Sequence, residues 1–359
     1  MTITRVLVVD DSPTMRERLI AILRTDPDID VIADAPDGKQ AIALCQQLRP
    51  DVITMDMMLP VMSGLAATEY VMAHCPTPIL IVSASINRGE LFKTYEALAA
   101  GAVDVMDKPR GDDTDDKWER DFLSTVKLVA HIRVITHPRA RLEPPDRNEQ
   151  IRPSSIPARR LGEHPCTLVA IGASTGGPGA IVEVLRGLPS DFSLPLLVVL
   201  HIGAPFGATF ADWLDGQTSR HVSFATDNQP LSEATGRVIM APPDRHLIVR
   251  DDKLRLTDDP ERHSCRPSVD VLFESVAHEF GVTAAGCLLT GMGRDGAAGL
   301  ASIRERGGLT IAQDEATSVV YGMPREAVLL GAVQHVLPLD EIGPALSTLV
   351  GPRARSSRG

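Results

Sequence analysis

From residue 5 onward the chain alternates short apolar runs with longer stretches of helical period, a pattern that reads as repeated βα units building a parallel sheet. In the first part the candidate strands fall at 6–9, 31–33, 52–55, 79–82 and 103–106, five strands that make one doubly wound, flavodoxin-like α/β domain. The alternation lapses between 137 and 165, where Pro138, Pro144, Pro145, Pro153, Pro157 and Pro165 punctuate a stretch rich in Arg and acidic residues. That stretch reads as a linker, whose charges either solvate a tether or meet a partner. Strand signals resume at 168–171, 196–200, 238–240, 287–289 and 309–312, which predicts a second doubly wound, mostly parallel α/β domain. The expected organisation is a domain at 1–136, a linker at 137–165, a second domain at 166–351 and a frayed tail at 352–359.

Composition narrows the function classes. A formal net charge of -11 argues against a nucleic-acid groove, which needs clustered Lys and Arg. The five cysteines, Cys45, Cys75, Cys166, Cys265 and Cys287, are widely spaced and form no CxxC pair. They suggest a reducing cytoplasm, not a disulfide framework or a zinc site. No apolar run approaches the roughly 20 residues of a spanning helix, so direct membrane insertion is not expected.

Strand ends carry the chemistry. Asp10 and Asp11 follow the first strand and Asp56 follows the third, so a parallel sheet brings all three carboxylates to one edge, where they call for a cation. Ser83 at the end of the fourth strand and Lys108 after the fifth add a hydroxyl and an ammonium. Taken singly, an Asp there is an N-cap and the Lys a surface charge. Together they can hold magnesium, present one carboxylate as nucleophile and neutralise phosphoryl oxygens. The segments Val8-Val9-Asp10-Asp11-Ser12, Thr54-Met55-Asp56-Met57, Val82-Ser83-Ala84 and Asp107-Lys108-Pro109 resemble the receiver domain of two-component response regulators. The resemblance implies that Asp56 accepts phosphate from a histidine kinase. It also implies that Asp10, Asp11, Asp56 and the Met58 carbonyl bind Mg2+, and that Ser83 and Lys108 read the phosphoryl group. Val105 stands where many receivers carry an aromatic switch residue.

In the second part, Gly172-Ala173-Ser174-Thr175-Gly176-Gly177 satisfies GxSxG between a strand and a helix, the context in which a serine is lifted above a sheet. A phosphate cradle is the rival reading, but GxGxxG spacing and a Walker lysine are both missing. His201 directly follows the run at 196–200, on the same predicted edge. Alone it is equally well a structural histidine. Asp295, in the glycine-rich loop Thr290 to Gly296, supplies the third member: Ser174 as nucleophile, His201 as base and Asp295 to fix the imidazole. The order Ser, His, Asp differs from that of common α/β-hydrolases.

These segments, with Ser264 to Phe273 and Gln313 to Pro324, resemble the chemotaxis protein-glutamate methylesterases across nearly the whole chain. The resemblance implies hydrolysis of glutamate methyl esters on the cytoplasmic helices of chemoreceptors, often with deamidation of receptor glutamines, and no cofactor in the esterase domain. It places Thr175 beside the nucleophile, makes the Met292 backbone an oxyanion donor and sets the 263–267 and 313–324 segments along the cleft, with roles for Arg266 and Tyr321 left open. It further implies that the unphosphorylated receiver blocks Ser174 and that phosphorylation at Asp56 relieves the block. Leu200-His201-Ile202 replaces the Gln-His-Met common in such proteins. Three rivals remain: the same chemistry on receptors of a non-motility pathway, a catalytically idle receptor-binding adaptor, and a DNA-binding regulator, against which the acidic balance and the lack of a helix-turn-helix pattern weigh.

Overall fold

In the computed structural model each apolar run of the N-terminal part forms a strand: β1 (Thr4–Val9), β2 (Ile29–Ala35), β3 (Val52–Met55), β4 (Ile79–Ser83) and β5 (Asp104–Asp107). The structure describes residues 3–84, 87–109, 116–132, 134 and 165–350. The linker at 137–165, apart from Pro165, and the tail at 352–359 lie outside the described residues. The chain divides into two units, Met1–Ile151 and Arg152–Gly359.

The first sheet runs β2-β1-β3-β4-β5 with every neighbouring pair parallel, the flavodoxin-like order expected from the sequence. Its crossovers are α1 (Pro13–Leu23), α2 (Gly38–Leu48), α3 (Gly64–His74) and α4 (Arg88–Ala99), with α5 (Asp116–Ala130) following β5. Ser12, Asp37, Ser63 and Asn87 each cap one of the first four helices, their side chains accepting from a backbone N–H three residues on. Leu7, Val9, Ile53 and Met55 pack with Val71 and Met72 in one continuous core. Parallel strands therefore end together, and their carboxyl edge is where Asp10, Asp56 and Lys108 emerge.

The second unit contains a seven-stranded parallel sheet and a small antiparallel one. Its strands are β6 (Leu168–Ala173), β7 (Leu196–Leu200), β8 (Val222–Phe224), β9 (Gln229–Pro230), β10 (Val238–Met240), β11 (His246–Arg250), β12 (Lys253–Thr257), β13 (Ala284–Leu288), β14 (Leu309–Gln313) and β15 (His335–Leu337). The helices are α6 (Gly177–Arg186), α7 (Ala204–Gly207), α8 (Phe210–Gln217), α9 (Val269–Phe280), α10 (Ala297–Glu305), α11 (Met323–Leu329) and α12 (Leu339–Ser347). The large sheet runs β15-β14-β13-β6-β7-β10-β8. β6 leads to β7 on one side while β13 returns on the other, so the strand order reverses at β6, and such a switch point opens a crevice at the carboxyl edge. The β13 strand begins three residues before the expected 287–289 run, because Ala284, Ala285 and Gly286 carry too little apolar bulk to mark a strand.

The antiparallel sheet β11-β12-β9 was not legible in the apolar pattern. Its hairpin pairs Arg250 with Lys253 across a two-residue turn, and Asp251 and Asp252 both take positive φ, 52° and 55°. A turn of that hand suits twisted strands, but it is normally signalled by Asn-Gly or Asp-Gly, not Asp-Asp. Among the described residues no helix is long and apolar enough to cross a membrane.

Leu168 and Ala170 face α9, packing with Val269, Leu272, Phe273 and Val276, while the alternate residues Val169 and Ile171 are equally buried. The sheet is thus covered on both faces, which explains its unbroken apolar strands. Gly172 lets the first turn of α9 press directly on β6, since a Cβ there would collide with the Val269 side chain. Gly172→Ala should therefore lower the stability of the second unit by about 1–3 kcal/mol, with partial recovery in Gly172→Ala/Val269→Ala. Calorimetry of the full chain checks this, and an unshifted transition in the single variant contradicts the packing.

Candidate active site

The Asp295 carboxylate is 2 % exposed, and charge at that depth survives only if it is fully hydrogen-bonded. Four donors meet it. Its Oδ1 accepts from the Ser268 hydroxyl at 2.8 Å and the Asp270 N–H at 3.0 Å; its Oδ2 accepts from the Val269 N–H at 2.7 Å and lies 2.9 Å from His201 Nε2. Three of these donors are the cap and first residues of α9, so the acid sits where a helix N-terminus presents unpaired N–H groups and positive potential. Burial pushes the Asp295 carboxyl up, but the His201 hydrogen bond and charge, with the Asp270 N–H and Ser268 hydroxyl, outweigh it and hold the group below the usual range.

His201 follows β7, with its N–H donating to the Ala173 carbonyl at 3.0 Å. Since Ala173 pairs with Leu200, the next residues, Ser174 and His201, stand level at the ends of adjacent strands. The imidazole Nε2 is taken by Asp295, and its Nδ1 lies 3.7 Å from the Cys265 sulfur. Burial alone would lower the imidazole's pKa; the Asp295 hydrogen bond and the Cys265 sulfur outweigh that and push it up to about 9. A cleft of about 540 Å³ opens here, lined in part by His201, Cys265, Met292, Arg294, Asp295 and Glu326.

Ser174 is half-buried and its N–H donates to the Thr290 carbonyl at 3.0 Å, tying the loop after β6 to the loop after β13. The two loops are so close that a Cβ on Gly291 would come 2.8 Å from the Ser174 Cβ. Thr175 is buried, and its carbonyl accepts from the Thr290 hydroxyl at 3.0 Å. Met292 is 47 % exposed at the cleft, and among the described residues its N–H meets no acceptor. The Tyr321 backbone bridges Gly291, and the Arg266 guanidinium reaches the Asp259 carbonyl at 3.4 Å.

Several bracing residues escaped sequence reading. Ser268 and Asp270 lie inside the Ser264 to Phe273 segment, where they orient Asp295. The Ser268 N–H donates to Nδ1 of the fully buried His246, whose Nε2 bonds the Pro260 carbonyl at 3.2 Å. Thr290 and Gln313 join through a 2.8 Å bond from the Thr290 N–H, and Gln313 reaches on to the Thr317 carbonyl. The signal, a polar residue directly after an apolar run, was present for Thr290 and Gln313 but not for Ser268, Asp270 or His246.

In the first unit Asp10, Asp11 and Asp56 each offer an oxygen within 4.8 Å of the others, and Lys108 Nζ lies 2.7 Å from Asp10 and 2.9 Å from Asp56. Burial raises the Asp10 pKa despite Lys108. Burial would lower the Lys108 pKa, but the facing Asp56 and Asp10 carboxylates raise it. An all-oxygen set of this charge suits a hard cation such as Mg2+. Ser83 is buried at the end of β4, and its carbonyl accepts from the Lys108 N–H. Met58 lies half-exposed in the loop after Asp56, and Val105 packs against the core.

Histidine NMR on the full chain should find the His201 titration well above the ordinary 6.5, with Asp295→Asn and Cys265→Ala each moving it down. A titration at the ordinary value, unmoved by either change, would contradict the electrostatics.

Residues 169–346 match the CheB methylesterase family and residues 6–114 the response regulator receiver domain. The chain is 44% identical over 345 residues to protein-glutamate methylesterase/protein-glutamine glutaminase 2 of Anaeromyxobacter dehalogenans, covering 96% of each chain. It is 42% identical to the protein-glutamate methylesterase/protein-glutamine glutaminase of Nitrosospira multiformis, covering 99% of each. The crystal structure of the Thermotoga maritima CheB methylesterase catalytic domain overlays on 52% of this chain and 99% of its own, at 33% identity and a TM-score of 0.49. With relatives of this identity aligned from end to end, the chain belongs to the CheB-type protein-glutamate methylesterase/protein-glutamine glutaminase family, carrying a receiver domain ahead of its hydrolase domain.

Proposed function

We propose that the chain hydrolyses glutamate methyl esters on the cytoplasmic helices of chemoreceptors, releasing methanol, with Ser174 as nucleophile, His201 as base and Asp295 as its orienting acid. The observation that carries this reading is the 2.9 Å contact between His201 and a carboxylate fixed by a helix N-terminus, on the strand end level with Ser174. Asp295 engages Nε2, so Nδ1 is the nitrogen left to take the serine proton. Ser174 Oγ attacks the ester carbonyl as its proton passes to Nδ1, and the Met292 N–H, with Thr175 alongside, receives the developing oxyanion. Return of that proton to the leaving oxygen expels methanol. Water, activated by the same nitrogen, then cleaves the acyl-enzyme. A receptor glutamine follows the same course with ammonia leaving.

The raised His201 pKa has a direct consequence. Below about 9 most of the imidazole is protonated, so the neutral base grows, and kcat/KM rises, as pH climbs toward that value.

Asp10, Asp11, Asp56 and the Met58 carbonyl would hold Mg2+, which when bound neutralises phosphoryl oxygens during transfer from a histidine kinase. Asp56 takes the phosphoryl group, Lys108 and Ser83 bind its oxygens, and phosphorylation raises the esterase rate by relieving receiver inhibition. The proposed domain limits remain 1–136 and 166–351, joined by the linker at 137–165.

Methanol release from methylated receptor membranes tests the reading. Wild type should respond to a small phosphodonor, Asp56→Asn should lose that response, and Ser174→Ala should fall by at least about 10³-fold. Release that survives Ser174→Ala would overturn the nucleophile. No release from wild type would favour an idle adaptor.

A further inference from the structure

Cys265 is unlike the other cysteines of this chain. Cys45, Cys75, Cys166 and Cys287 are buried, whereas Cys265 is partly open to the cleft and faces the catalytic imidazole. Its sulfur stands 3.7 Å from His201 Nδ1. Two ligands of a tetrahedral zinc ion, with Zn–S about 2.3 Å and Zn–N about 2.0–2.1 Å, stand about 3.6 Å apart across the metal. The pair therefore already has the spacing of one edge of such a site.

The surroundings favour the same ligand. Zinc-bound histidines almost always donate their second ring N–H to a carboxylate, a backbone carbonyl or water, which fixes the ring and raises its basicity. Here that carboxylate is Asp295, itself immobilised by Ser268, Val269 and Asp270. Donor atoms of His201, Cys265 and Asp295 all lie within 4.8 Å of one another. The roughly 540 Å³ cleft leaves room for water to complete the shell, and Glu326 on its wall adds negative charge. Thiolate and imidazole select a soft or borderline ion, so this pair does not compete for the hard cation suited to Asp10, Asp11 and Asp56.

We propose that Cys265 and His201 Nδ1 form a zinc-class metal site at the mouth of the cleft, and that its occupancy switches the esterase off. Binding releases the thiol proton and any proton on Nδ1 to solvent, and the sulfur and nitrogen replace waters of the hydrated metal with no change of oxidation state. It occupies the one imidazole nitrogen that Asp295 leaves available. The switching half rests on His201 acting as base, as in the proposed function; the binding half does not.

The test uses the full chain in excess Mg2+. Co2+ should give a thiolate-to-cobalt charge-transfer band saturating at one equivalent, displaced by Zn2+, present in Ser174→Ala and Asp11→Asn, and lost in Cys265→Ala and Cys265→Ser. Micromolar Zn2+ should cut wild-type methanol release by at least about tenfold, reversibly with a chelator. The two Cys265 variants, each compared with its own zinc-free rate, should respond less than about twofold. Absence of the band, or its survival in both Cys265 variants, overturns the site. A band accompanied by undiminished methanol release overturns the switch, whereas the assignment of His201 as base fails separately, if the zinc-free rate survives His201→Ala.

Discussion

A carboxylate buried against the first turn of a helix organises the catalytic half of this molecule. Asp295 keeps its charge because Ser268, Val269 and Asp270 meet it with three donors at the N-terminus of α9. An ionised carboxylate at that depth without them would cost several kcal/mol. The approach of α9 depends in turn on the absence of a side chain at Gly172, and the Ser268 cap is steadied by His246 from the small antiparallel sheet. Helix, loop and hairpin thus converge on one oxygen pair. The imidazole bonded to that pair inherits its fixed position and raised basicity.

The two units answer the same geometrical problem with opposite chemistry. Each brings polar residues from separate strands to the carboxyl edge of a parallel sheet. In the first, three carboxylates gather and two of them, Asp10 and Asp56, share Lys108, an all-oxygen set that suits a hard cation. In the second, one carboxylate is spent on a single imidazole, leaving a neutral alcohol and a thiol around it. Both kinds of site follow from where strands stop, not from which residues fill the core.

That logic explains what was legible beforehand. The strands at 52–55, 196–200 and 238–240 match the expected runs residue for residue, since they are apolar but for Thr54 and buried throughout. The residues after such strands, Asp56 and His201 among them, could be placed on an edge without knowing any contact. Ser268, Asp270 and His246 could not, because their value lies in approaching Asp295 from elements packed across the sheet, which no local period records. The β11–β12 hairpin was missed because Asp251 and Asp252 do the work usually given to Asn-Gly. The strand β8 leaves no apolar run, because Ser223 separates Val222 from Phe224, whereas the equally short β10 is apolar throughout. Cys265 carries no local signal either, because its place beside His201 comes from the way its loop folds.

The most direct measurement is fluorophosphonate labelling of the intact chain, with the adduct located by mass spectrometry. If the fixed imidazole activates the serine level with it, one adduct forms on Ser174, and His201→Ala slows its formation by orders of magnitude. Label on another residue, or labelling of Ser174 at the same rate without His201, would contradict the coupling of helix, acid, base and nucleophile.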